Sequence, residues 1–184
     1  MFQPLDRRSF LKLGGIAAFV SRSVSVFAAE PSALANVRER SLSFYNLHTA
    51  ENLKTVYWAE GDYIPDSLHA INYHLRDYRT GEVREIDRRL LDLLCELRLK
   101  LETNSHFELI SGYRSAATNA MLHSHSDGVA ARSLHMEGMA ADIRLPDRNL
   151  ALLRKAAMAM KAGGVGYYPA SQFVHVDVGR IRTW

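Results

Sequence analysis

Leu42-Ser43-Phe44-Tyr45-Asn46-Leu47 alternates apolar and polar positions as a half-buried strand does, and Lys54-Thr55-Val56-Tyr57-Trp58 reads as a second strand. The turn-forming stretch Thr49-Ala50-Glu51-Asn52 between them predicts a hairpin. The period then lengthens. Leu68, Ile71, Leu75 and Tyr78 stand at helical spacing within 65–79. Asp87 can cap a second helix, whose apolar face of Leu90, Leu91, Leu94, Leu97, Leu99 and Leu101 carries it to about 102. Short elements follow: a strand at 107–110, a helix at 115–123, a polar loop at 124–133 and a strand at 139–145. A helix rich in Leu, Ala and Met spans 147–161 and stops at Ala162-Gly163-Gly164. Strands at 164–168 and 173–178 close the chain, joined by a turn at Pro169-Ala170-Ser171. There are no internal repeats. This order predicts the α+β class, a small antiparallel sheet with packed helices.

The 184 residues, 47% of them hydrophobic and 23% charged, suit one compact domain. Residues 1–29 stand apart. Asp6-Arg7-Arg8-Ser9-Phe10-Leu11-Lys12 precedes a weakly apolar run from Leu13 to Val20, and small residues follow at Val26, Ala28 and Ala29. These are the parts of a secretory signal, and the paired arginines resemble a twin-arginine export signal. The expectation is an export segment at 1–29, either cleaved after Ala28 or Ala29 or retained as an anchor, and a folded domain at 30–184. The twin-arginine export machinery would be a partner and the periplasm the destination. The apolar run is too short, and Arg22 follows too soon, for a stable membrane span. Losing 1–29 removes Arg7, Arg8, Lys12, Arg22 and Asp6, which leaves basic and acidic residues in equal number. The pI near 9.1 therefore comes largely from the signal, and no nucleic-acid partner is expected.

Cys95, the one cysteine, reads as a small buried apolar residue on a helix, so a metal must be held by His, Asp or Glu. Three residues draw attention. Asp142 sits among Met139, Ala140, Ala141 and Ile143, where an unpaired carboxylate would be costly to bury. His135 precedes it by seven residues. His175 lies in the apolar strand at 173–178 and shares its face with Asp177. Two imidazoles and a carboxylate with an open fourth position make a catalytic zinc site, which activates water and polarises a carbonyl. Spacing alone leaves a plainer reading open, in which His175 is structural and Asp142 pairs with Arg144.

Resemblance bears on that choice. Ser133-Leu134-His135-Met136-Glu137-Gly138-Met139-Ala140-Ala141-Asp142 resembles the Ser-x-His-x-x-Gly-x-Ala-x-Asp signature of the M15 peptidases. These are zinc D-Ala-D-Ala peptidases that share their fold with hedgehog-type domains. Ser111-Gly112-Tyr113-Arg114-Ser115 with Asn119 resembles a second block of that family. Gly163-Gly164-Val165-Gly166-Tyr167-Tyr168-Pro169 and Phe173-Val174-His175-Val176-Asp177 resemble the end of a branch of exported murein endopeptidases. The resemblance implies Zn2+ held by His135, Asp142 and His175, with Arg114 on the scissile carbonyl or the developing oxyanion. It implies peptidoglycan stem-peptide cross-links as substrate. Many M15 enzymes carry a carboxylate base three residues before the last metal His, where this chain has Gln172. Asp177, as base or as orienter of His175, and then Glu137 are the residues expected to fill the gap. A carboxypeptidase trimming terminal D-Ala, or a non-catalytic zinc- or wall-binding module, are the rival readings.

Overall fold

The computed structural model describes residues 32–125 and 130–184. The export segment expected at 1–29 lies outside them. Among the described residues no helix is long and apolar enough to cross a membrane.

The predicted hairpin forms from β1 (Glu39–Asn46) and β2 (Asn52–Ala59), paired antiparallel, and a short β3 (Asp62–Tyr63) extends it. α1 (Pro65–His74) starts with proline at its first position and stops five residues short of the predicted end. The chain turns there because Asp77 draws the backbone away: its carboxylate accepts from the amides of Arg79 and Ser115, both at 2.9 Å. Burial would raise the pKa of this carboxyl, yet hydrogen bonds from Thr118 and Ser115 hold it at about 2. α2 (Arg88–Lys100) is capped as predicted, the Asp87 carboxylate accepting from the Arg89 amide. β4 (Phe107–Ser111), α3 (Ala116–His125), β5 (Ala140–Arg144), α4 (Leu150–Met160), β6 (Gly164–Tyr168), β7 (Phe173–Asp177) and β8 (Arg182–Thr183) follow. α4 is capped by Asn149 and so starts three residues later than the expected 147.

All eight strands of the described residues join one sheet in the order β3-β2-β1-β4-β5-β7-β6-β8. The α+β class holds, but the sheet is larger than expected and not purely antiparallel. β1 pairs with β4 and β6 with β8 in parallel. A parallel pair needs a long crossover, and the chain between β1 and β4 supplies one through α1 and α2. One sheet face carries Leu42, Phe44, Phe107, Leu109, Ile143, Val174 and Val176, all essentially solvent-free, against the leucines of α2 and Leu153 of α4. Strand alternation sends Asp142, His175 and Asp177 to the other face.

Candidate metal centre

The centre begins with a register. β5 and β7 pair so that Asp142 stands opposite His175 and Ala140 opposite Asp177. His135 arrives from a 3-10 helix at Leu134–Glu137, whose cap Ser133 accepts from the His135 amide. That helix closes on Gly138 at φ +67°, where a Cβ would stand 2.4 Å from the Glu85 carbonyl oxygen. Only glycine fits there, which gives the glycine of the signature its physical reason.

Three donor atoms converge. His175 Nδ1 lies 2.9 Å from Asp142 Oδ1 and 3.2 Å from His135 Nε2. His135 Nε2 lies 3.3 Å from Asp142 Oδ1. A tetrahedral ion with bonds of about 2.0–2.1 Å holds its donor atoms about 3.3 Å apart, so this triangle fits a single small cation. The outer ring nitrogens are also fixed. His135 Nδ1 donates to the Gly112 carbonyl at 2.7 Å, which leaves Nε2 as the lone-pair atom facing the centre. His175 Nε2 donates to Asp177 Oδ2 at 3.1 Å, which leaves Nδ1 facing the centre. All three are buried. Burial opposes charge on His175, but the flanking carboxylates of Asp142 and Asp177 push its pKa up to about 9. Burial likewise opposes charge on Asp142, and His135 and His175 outweigh it, so its pKa is lowered.

Asp177 has no exposed surface. Oδ1 accepts from the amides of Gly164 and Gly179, each at 2.9 Å, and Oδ2 accepts from Arg182 at 2.7 Å as well as from His175. Against the pull of burial these bonds lower its pKa. Glu137 is placed elsewhere: its half-exposed side chain pairs with Arg84 at 3.0 Å and faces a separate depression with Glu85, Asp87 and Arg88. Gln172 sits in the β6–β7 turn at φ +57° and donates to the Pro169 carbonyl. Arg144 pairs with Glu108 rather than with Asp142.

Arg114 joins the triad. Its Nη2 is 3.8 Å from Asp142 Oδ2 and its Nη1 donates to Asn119 Oδ1 at 3.4 Å. Asn119 donates in turn to the carbonyls of Ala130 and Ala131, each at 3.2 Å, tying the following loop to the site. Burial lowers the Arg114 pKa and Asp142 opposes that shift. The Arg114 Nε is buried with no partner among the described residues, a donor left over beside the donor set.

A cleft of about 520 Å³ opens over the centre. Arg114, Arg132, Ser133 and Leu134 line it with the triad, and so do Tyr168, Phe173, Arg182 and Trp184. Asp142 is the only carboxylate in that lining among the described residues. Sequence reasoning passed over Arg182 and gave Tyr168 and Trp184 no recognition role. Trp184 follows β8, a strand of only two residues, so no periodicity marks it. His48 fixes a turn: its Nε2 lies 3.0 Å from the Ile110 carbonyl and its ring stacks on Tyr78. His125 belongs to the last turn of α3 and its Nδ1 donates to the Met121 carbonyl.

A buried pair of imidazoles and one carboxylate, facing an open cleft on an α+β sheet, defines a class: domains built around a site able to hold a metal ion. The chain belongs to the M15_2 peptidase family, described as peptidoglycan L,D-endopeptidase MepK, whose profile matches residues 34–184. It is 42% identical over 180 residues to the peptidoglycan L,D-endopeptidase MepK of Escherichia coli K12, covering 97% of both chains. The relative of the same name in Shigella flexneri stands at the same identity and coverage. The probable peptidoglycan L,D-endopeptidase MepK of Haemophilus influenzae is 38% identical over 183 residues, covering 97% of this chain and 95% of that one.

Proposed function

We propose that this protein is an exported, zinc-dependent murein endopeptidase that hydrolyses peptide cross-links of peptidoglycan. The observation that carries the reading is the triangle of His135 Nε2, Asp142 Oδ1 and His175 Nδ1, with sides of 2.9, 3.2 and 3.3 Å, at the floor of a cleft. The names of the relatives support the substrate and favour an L,D bond.

In this reading His135, Asp142 and His175 hold the ion. When bound, it supplies a Lewis acid that polarises a carbonyl and brings a water near neutral pKa. Arg114, fixed by Asn119 and Asp142, presents a cation to the carbonyl oxygen, where negative charge grows in the transition state. Asp177 orients His175 and keeps its Nδ1 free of a proton when the ion is held. Its filled, buried oxygens favour that role over proton transfer from water. Glu137 pairs with Arg84 and lines a separate depression rather than the cleft, which speaks against it as the base. The pair Arg7-Arg8 and the short apolar run after it support export by the twin-arginine route, with the periplasm as workplace.

The test is digestion of purified cross-linked muropeptide dimers beside metal analysis of the protein. Conversion of dimers to monomers, lost on chelation, restored by zinc and absent from His135→Ala and His175→Ala, is expected. Trimming of a terminal D-Ala with dimers intact would make the protein a carboxypeptidase. Binding to the wall without any cleavage would make it a non-catalytic module.

A further inference from the structure

The wall of the cleft beside His175 is aromatic and rigid. Trp184 is 47% exposed, yet its side chain is held from several directions. Its indole Nε1 donates to the Tyr168 hydroxyl at 2.7 Å. Its backbone amide donates to the Val165 carbonyl at 3.3 Å, and its carbonyl accepts from the Tyr167 amide at 3.1 Å. The Arg182 guanidinium lies 4.9 Å from the ring centroid, with its own charge engaged by Asp177. Beneath the ring runs Gly166, where a Cβ would stand 2.8–2.9 Å from three indole atoms. Residue 166 must therefore be glycine for the ring to lie down. Tyr168, the indole's partner, is itself stacked on Phe173 at 4.5 Å.

The indole centroid is 5.3 Å from that of His175, tilted by 48°. Its ring belongs to the cleft lining together with the triad. About half of its surface is left free by the packing against Gly166 and His175 and faces the cleft. A large apolar face that is immobilised in advance, beside reacting groups and open to solvent, is suited to receive a ligand at low entropic cost.

We infer that Trp184, braced by Tyr168, Arg182 and Gly166, is a substrate-positioning and specificity-determining residue. Its indole face takes an amide plane and the adjoining aliphatic carbons of an extended peptide, next to the bond that is cut. This rests on the endopeptidase reading and adds a contact that the donor set does not provide.

The test uses the full metal-loaded chain and a purified cross-linked tetrapeptide muropeptide dimer. Trp184→Ala is expected to raise KM about tenfold, the loss of an aromatic anchor, with kcat held within about threefold and metal content unchanged. Trp184→Phe should fall between it and the parent, and Tyr168→Phe, which frees the indole, should raise KM by less. The sequence has two tryptophans, so Trp58→Phe leaves Trp184 as the only reporter. Its emission should change on rapid mixing with the dimer, before turnover, and saturate near KM. An unchanged KM in Trp184→Ala, or a fall in kcat that tracks lost metal, overturns the inference. If Trp184→Ala does not fold, a Trp184→Phe KM within about twofold of the parent, together with silent Trp58→Phe emission, overturns it equally. If the parent cleaves nothing, the functional reading fails, and the emission titration still decides whether Trp184 meets the peptide.

Discussion

Asp177 and Glu137 entered as rival carboxylates, and their surroundings separate them. Asp177 is enclosed and shares Oδ2 between His175 and Arg182, so Asp177→Asn should remove the anionic acceptor while leaving the shape of the site. Metal affinity is then expected to fall roughly tenfold to a hundredfold, with turnover at saturating metal largely kept. Competition with a chelator of known affinity measures it, and unchanged affinity would deny the orienting role. Glu137→Gln loses an exposed ion pair with Arg84 and should leave turnover within about twofold of the parent. His74 gives a pH prediction. It is buried, packed against Phe44 at 5.8 Å between ring centroids, and its Nε2 has no partner among the described residues. Burial lowers its pKa, so the folded protein keeps it neutral while the unfolded chain takes up a proton below about pH 6.5. Its contribution is full above that pH and is lost as pH falls from there toward the lower folded value. Urea midpoints at pH 7.5 and 5.5 should drop more for the parent than for His74→Asn.

At the scale of elements, the local signals were legible and the long-range ones were not. Asp87 and the leucine spacing after it located α2, because a cap and an apolar face are both local properties. Asp87→Ala should therefore cost about 1 kcal/mol in a denaturation curve. The end of α1 was misjudged because Tyr78 keeps the helical period, while Asp77 finds its partners in Ser115 and Thr118, far along the chain. β3 and β8, of two residues each, carry no period at all. The join between α1 and β4 turns on Gly112, where a Cβ would stand 2.5 Å from the Leu75 carbonyl oxygen. That same oxygen accepts from the Tyr113 amide at 2.7 Å, and Gly112's own carbonyl anchors His135. Gly112→Ala is expected to lose about 1–3 kcal/mol of stability and to weaken metal binding in the same variant. Loss of one without the other would separate the packing of α1 from the placement of His135.

In the whole molecule, the donor set joins parts that no turn or hairpin brings together. Motif resemblance named His135, Asp142 and His175, and strand alternation put His175 and Asp177 on one face. The register that sets Asp142 opposite His175 became visible only with the β5–β7 pairing. Because these donors sit on two interior strands and on the helix before one of them, an ion held by them would cross-link the middle of the sheet to the rim of the cleft. The side chains of the centre also satisfy one another. A proton on His175, held by Asp142 and Asp177, can take the place of the cation's charge, so the fold should survive chelation and metal must compete with that proton. Stability is then linked to free metal. At a concentration a hundredfold above Kd the gain is about 2.7 kcal/mol. For a domain of this size that corresponds to roughly 5–10 °C in thermal midpoint. Thermal scans with chelator and with graded zinc should show a cooperative transition throughout and a midpoint that climbs with zinc. His135→Ala should keep the transition and lose the climb, since two donors remain where three are needed. A parent midpoint indifferent to both chelator and zinc would mean that the three side chains converge for structural reasons alone.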